Sequence, residues 1–309
     1  KLSEAEALFR QVMTQRKAEL GESHLGTLTA MHNLVSVLDD QGKFREAEAK
    51  GRKVMVNFQA RLGEAHDHTL AATNVLANVL RQQSKFAEAE GLYRKVLRIR
   101  TAKFGGGHPK TLRVMGNLAV SLAEQQKFGE AEVLYQSAVA GFKATVGEGH
   151  PNTLMAMSNC ANLFLKQNKL AAAEILQRQV LAARRAKLGR HHQDYLTSLY
   201  NLAINLGAQG KYEEAEGLYR EAVAGRQKKF GDNHVRTAQA KENLANTLTK
   251  QGKFEEGVRL HREALIVMQE LLGSDHPTTL QIINNLKIAL ALQRKAKDAK
   301  PKLKMSVDV

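Results

Sequence analysis

Glycine recurs every 42 residues along this chain, at Gly21, Gly63, Gly105, Gly147, Gly189, Gly231 and Gly273. Lysine keeps the same step through Lys1, Lys43, Lys85, Lys127, Lys169, Lys211, Lys253 and Lys295, and histidine through His24, His66, His108, His150, His192, His234 and His276. No insertion breaks the three series. A strict period of this length marks an array of about seven copies, in which a unit unable to bury its own apolar face stacks on copies of itself. Length would otherwise suggest two domains, but an array grows without dividing into separate cores.

Within each unit, apolar residues fall at helical spacing twice. Leu112, Met115, Leu118, Ala119 and Leu122 make one stripe over residues 111–124. A polar turn follows, Gln125-Gln126-Lys127. In sister copies it carries glycine (Gln41-Gly42, Gln209-Gly210, Gln251-Gly252), which suits a left-handed residue closing a helix. Phe86, Ala89, Tyr93, Val96 and Ile99 mark a second, longer helix over 86–103. The small residue of its Glu-Ala-Glu segment (Ala47, Ala89, Ala131, Ala215) lets a neighbouring helix come close. Arg94, Lys95, Arg98, Arg100 and Lys103 gather toward its C-terminal end, where they complement the helix dipole and read as a solvated face. The connection is Gly-x-x-His-x-x-Thr, with Gly105 a C-cap and Pro109, Pro151 and Pro277 in the first turn of the next helix.

This reading gives an all-α array over residues 1–296: a half repeat over 1–20, six full helix pairs over 27–272 and a final helix over 278–296. Residues 297–309 read as a basic, flexible tail. Beginning and ending on half a repeat is the expectation for a fragment of a longer protein.

Composition narrows the function. The 43% hydrophobic and 25% charged residues suffice for a folded core. A single cysteine, Cys160, excludes an internal disulfide or a cysteine zinc site, and fits a reducing, intracellular and by this reading cytoplasmic setting. An organellar targeting segment ahead of Lys1 stays open. No apolar run approaches the ~18 residues of a membrane span. The net charge is +15, of which the six basic and two acidic residues of 294–309 supply +4. A field of that sign attracts acidic peptides, nucleic acid or anionic membrane.

Catalytic and cofactor chemistry find no footing. The histidine series offers one imidazole per loop, one helix pair apart, whereas the ligands of one metal must converge; His191-His192-Gln193-Asp194 is the only local cluster of metal-like composition. Gly105–Thr111 imitates a phosphate loop, but Pro109 stands where that motif needs glycine and a helix precedes it. No Ser/His/Asp constellation stands out, and Cys160 shares the register of Leu118 and Leu202, a buried slot. Single-stranded nucleic acid is usually gripped by exposed aromatics. This chain has no tryptophan, and its Phe and Tyr fall mostly at core registers (Phe44, Phe86, Phe128, Tyr212, Phe254; Tyr93, Tyr135, Tyr219). The chain reads as a non-enzyme with no cofactor and no metal.

Asn201-Leu202-Ala203 with Gln209–Tyr219, and Asn117-Leu118-Ala119 with Gln125–Tyr135, resemble a tetratricopeptide repeat. The 42-residue form, with Leu-Gly and Gly-x-x-His-Pro in its linker, is similar to the repeat of kinesin light chains. The resemblance covers residues 1–296 and implies a right-handed α-solenoid acting as a scaffold or adaptor. It implies a partner peptide, often acidic, lying on the concave face lined by the short helices, with the asparagine of Asn-Leu-Ala touching its backbone. Those positions are Asn33, Asn117, Asn159, Asn201, Asn243 and Asn285; the second copy departs, with Val75 in register and Asn74 one residue early. An asparagine can pair with an extended backbone of any sequence, or instead bridge neighbouring short helices. Basic groove positions correspond to Arg81, Lys166 and Lys250, while Asp39, Asp40 and Glu124 fill the matching places elsewhere. The alternative is a structural subunit packed into a larger multiprotein assembly; nucleic-acid binding ranks lower.

Overall fold

The computed structural model describes residues 2–305, with side chains described through 298. Fourteen helices follow one another among these residues: α1 (Leu2–Leu20), α2 (Leu25–Asp40), α3 (Phe44–Leu62), α4 (Asp67–Gln82), α5 (Phe86–Phe104), α6 (Pro109–Glu124), α7 (Phe128–Val146), α8 (Pro151–Lys166), α9 (Leu170–Leu188), α10 (Gln193–Ala208), α11 (Tyr212–Phe230), α12 (Val235–Lys250), α13 (Phe254–Leu272) and α14 (Pro277–Met305). Short and long helices alternate, and each packs on the next in chain order from α1 to α7 and from α9 to α14; successive short helices also touch, α2 with α4, α4 with α6, α10 with α12 and α12 with α14. The helices group into two compact units, Lys1–Leu163 and Phe164–Val309. Helix α14 continues through 297–305, part of the stretch that the sequence assigns to the basic tail.

The core is built from the repeating registers. In the first unit Leu34, Val35, Leu38, Ala47 and Val79 pack together, and in the second Leu202, Leu206, Ala215, Tyr219 and Leu244 do so. The alanines of Glu-Ala-Glu are fully buried at the helix crossings. Cys160 is buried, as its register requires.

The linker motif owes its recurrence to hydrogen bonds. Its glycine takes a left-handed φ, 85° at Gly63 and Gly105, a region costly for any side chain. Each histidine is an N-cap: Nδ1 accepts the backbone N–H two residues on, from Gly26, His68, Lys110, Asn152, Asp194, Arg236 and Thr278, at 3.1–3.2 Å. The threonine hydroxyl closes the loop by donating to the glycine carbonyl, as Thr69 does to Gly63 at 2.8 Å and Thr153 to Gly147 at 2.7 Å. The histidine ladder is therefore structural. Replacing His108 by alanine should cost about 1 kcal/mol, whereas His108→Asn keeps an acceptor in place and should stay within a few tenths; urea midpoints of the two variants check this.

The lysine series is explained by ion pairs across repeats. Lys43, Lys85, Lys127, Lys211 and Lys253 reach back to Glu6, Glu48, Glu90, Glu174 and Glu216 at 2.6–2.8 Å. The same glutamates accept from the arginine four residues on, and that arginine crosses to the next long helix, as in Arg52–Glu88 at 2.6 Å and Arg178–Glu214 at 2.6 Å. The basic run of α5 is thus not simply a solvated face. Arg94 belongs to this ladder, and Arg100 is buried and donates from Nη1 to the carbonyl of Lys110 at 2.9 Å. Arg16 and Arg226 repeat that bond to Gly26 and Arg236.

Candidate functional site

Each short helix turns its apolar stripe toward the long helices and leaves one face outward. On that face the asparagine of Asn-Leu-Ala is followed three and seven residues later by further outward positions, which a helix brings to the same side. The structure puts the asparagines to two uses. Asn117 Nδ2 donates to Asn74 Oδ1 at 3.3 Å, Asn243 Nδ2 to Tyr200 Oη at 2.6 Å, and Asn285 Nδ2 to Glu242 Oε1 at 2.8 Å. These three bridge neighbouring short helices, and Asn74 is one of the bridging partners because it stands one residue early. Asn33, Asn159 and Asn201 are half-buried, with no side-chain hydrogen bond among the described residues.

The basic positions also divide. In the first unit Arg81 is bound to Glu124 at 2.9 Å, with Asp39 close enough to feel its charge. Burial pushes the Asp39 carboxyl up, Asp40 adds to the rise, and Arg81 opposes it. This stretch carries more acid than base. In the second unit Lys166 and Lys250 are exposed and have no ion-pair partner among the described residues. Ile204 and Ile288 lie outward there, 39% and 49% exposed.

Sequence reasoning missed the groups behind this face. The Arg226 guanidinium, 6% exposed, sits 4.3 Å from the centre of the Tyr200 ring. Glu242 Oε2 lies in hydrogen-bond contact with His261 Nδ1 at 2.7 Å, and His261 is wholly buried. Register would have exposed both. Tyr200 and Glu242 stand immediately before the repeating asparagine, and His261 holds the register of Tyr93, Tyr135 and Tyr219. No group of three or more His, Cys, Asp or Glu among the described residues could hold a metal ion. No described helix is long and apolar enough to cross a membrane.

The tetratricopeptide repeat profile matches residues 1–60, 68–144, 117–186 and 236–309, and a second profile of that repeat matches 196–236. The chain belongs to the tetratricopeptide repeat family. Proteins of this family generally work through protein–protein interaction and typically lack a catalytic domain. No curated protein matches the sequence. Among solved structures, BtubC (BKLC) from P. vanneervenii is similar over 75% of this chain and 93% of that one, at 20% identity and a TM-score of 0.63. A Podospora anserina protein of the kinesin light chain type, with nearly identical TPR-like repeats, covers 66% of this chain and 96% of its own at 25% identity and a TM-score of 0.58. PilW, a type IV pilus biogenesis factor, is also similar, at 14% identity, a TM-score of 0.61 and coverage of 83% and 98%. Neighbours from a light chain to a pilus factor share this fold, so the tetratricopeptide repeat itself does not select a partner.

Proposed function

We propose that this protein is a non-catalytic scaffold that holds a partner peptide against the face of its short helices, and that an acidic segment of the peptide sits on the second unit. One observation carries the reading. Lys250 and Lys166 are exposed and unpaired among the described residues, on the face that also presents Ile204, Ile288 and the unbonded Asn201. Apolar side chains would anchor the peptide, Asn201 would pair with its backbone, and the lysines would favour carboxylates. In the first unit Arg81 is neutralised by Glu124 and Asp39, so the acidic preference is assigned to the second unit only.

The test uses the absence of tryptophan. An acidic peptide bearing one tryptophan should show a saturable blue shift on titration with the protein, and Lys250→Glu should weaken its binding about tenfold. Equal binding by wild type and Lys250→Glu would remove the second unit's short-helix face from the account.

A second reading, a structural subunit of a larger assembly, draws on the long helices. Val56, Val133, Ile175 and Ile266 are 58%, 63%, 61% and 57% exposed there. Such a subunit would co-purify with fixed partners and ignore free peptide.

A further inference from the structure

A cleft of roughly 580 Å³ opens between α9 and α11, two long helices of the second unit. Its floor is the ring of Tyr195 and the side chain of Leu199, both buried in α10. Leu181 and Leu218 form apolar walls, and Arg185 and Glu221 are also part of its lining. The sequence explains why it is open here. Most linkers place threonine at the register of Tyr195; here the larger side chain sends its hydroxyl outward to donate to Glu221 Oε1 at 2.9 Å. Ala182 keeps the α9 wall low. One repeat later Lys241 and Glu263 hold the registers of Leu199 and Glu221, and Lys241 closes on Glu263 and Asp232 at 2.9 Å each. An ion pair fills there what stays apolar and open here.

The charge around the cleft is one-sided. Arg178 is engaged by Glu174 and Glu214, and the one carboxylate of the lining, Glu221, is turned to the Tyr195 hydroxyl and is outnumbered by cations. Arg185, Lys187 and Arg190, at the end of α9 and in its linker, have no ion-pair partner among the described residues. The outward stripe of α9 runs from Ile175, 61% exposed, through Arg178 and Ala182 to Arg185. Ten residues of helix span about 15 Å, longer than a compact small molecule and matched to a few turns of a second helix.

We propose that this cleft docks an acidic segment of a partner protein, a short amphipathic helix. One leucine or aromatic side chain of it enters between α9 and α11, and its carboxylates face Arg185, Lys187 and Arg190. This site lies on the long helices and is independent of the short-helix face. Partner recognition there combines an apolar anchor in a pocket with charge selection at its edge.

The test is fluorescence anisotropy of a dye-labelled acidic amphipathic peptide of about 14 residues, four helical turns, titrated with the full chain. Ala182→Leu narrows the cleft from an exposed position, and Arg185→Glu reverses its charge. Each should weaken binding about tenfold, with Arg45→Glu, a charge reversal at an exposed position of the first unit, within twofold of wild type. Three results overturn the proposal. One is no binding by wild type at roughly millimolar protein, ~4 kcal/mol. Another is unchanged binding by both cleft variants. The third is dodecanoate binding sensitive to Ala182→Leu where the peptide fails to bind, which would make the cleft a site for small amphiphiles. Loss of binding in Lys250→Glu with the cleft variants unaffected would place this peptide on the short-helix face instead, so the two sites fail separately.

Discussion

Replacing Glu242 by leucine should lower the unfolding free energy of the second unit by about 3 kcal/mol. Glu242 is 8% exposed and holds together three groups: His261 Nδ1 at 2.7 Å, Asn285 Nδ2 at 2.8 Å and Asn246 Nδ2 at 3.3 Å. His261 Nε2 is buried with no hydrogen-bond partner, so the loss of Glu242 leaves both imidazole nitrogens unsatisfied in the core. A buried polar group stripped of its partner keeps the whole desolvation penalty. The repeat suggests the rescue. His261 occupies the register of Tyr93, and Asn246 that of Asn78, to which the Tyr93 hydroxyl donates. In Glu242→Leu/His261→Tyr the new hydroxyl should reach Asn246 and recover most of the loss. Urea melts of wild type, single and double variants decide it. A double variant no more stable than the single would mean that the buried pair is not the source of the effect.

Acid should unfold the protein over an unusually wide span for its size. Hydrogen bonds from Lys85 hold the Glu48 carboxyl down to about 2, and Lys211 and Lys43 do the same for Glu174 and Glu6. Glu46, Glu90, Glu216 and Glu256 are lowered as well. For Glu90 and Glu216 burial opposes the lowering and the ion pairs outweigh it. The sign follows from linkage. A carboxylate whose folded value lies below its ordinary 4.5 adds stability that is complete above 4.5 and fades as pH falls through the folded value. The ladder should therefore give full stability near pH 6, begin to fail below 4.5 and be spent near 2. Because these side chains are partly exposed, each contributes little and salt weakens it. Their number makes the sum visible. Tm at pH 3 should lie on the order of 10 °C below its value at pH 6, and 1 M NaCl at pH 6 should lower Tm by part of that difference by screening the ladder. A Tm independent of pH between 6 and 3 would contradict the ladder's role.

The fold was legible because its signals repeat. A 42-residue step fixes where helices stop, and the apolar stripes of 111–124 and 86–103 lie inside α6 and α5. What repetition cannot reveal is which partner a polar residue takes. The lysine and histidine series were visible as series, but their roles depend on atoms brought close by packing: a glutamate 37 residues earlier, and a backbone amide two residues on. Arg100 shows the same limit. It sits in a basic run, yet occupies the register of Phe58 and Phe142 and is buried like them. The asparagine positions were legible as a ladder, while the bridging by Asn117, Asn243 and Asn285, which Asn159 lacks, turns on the residue 43 positions earlier. Tyr200, Glu242 and Asn74 can accept a bond, whereas Gly116 cannot.

The most direct measurement of peptide holding is paramagnetic broadening of isoleucine methyl resonances by an acidic peptide carrying a spin label. Selective broadening is expected at Ile204 and Ile288, the exposed isoleucines of the short-helix face in the second unit. Broadening confined to Ile175 and Ile266 on the long helices, or none at saturating peptide, would contradict it.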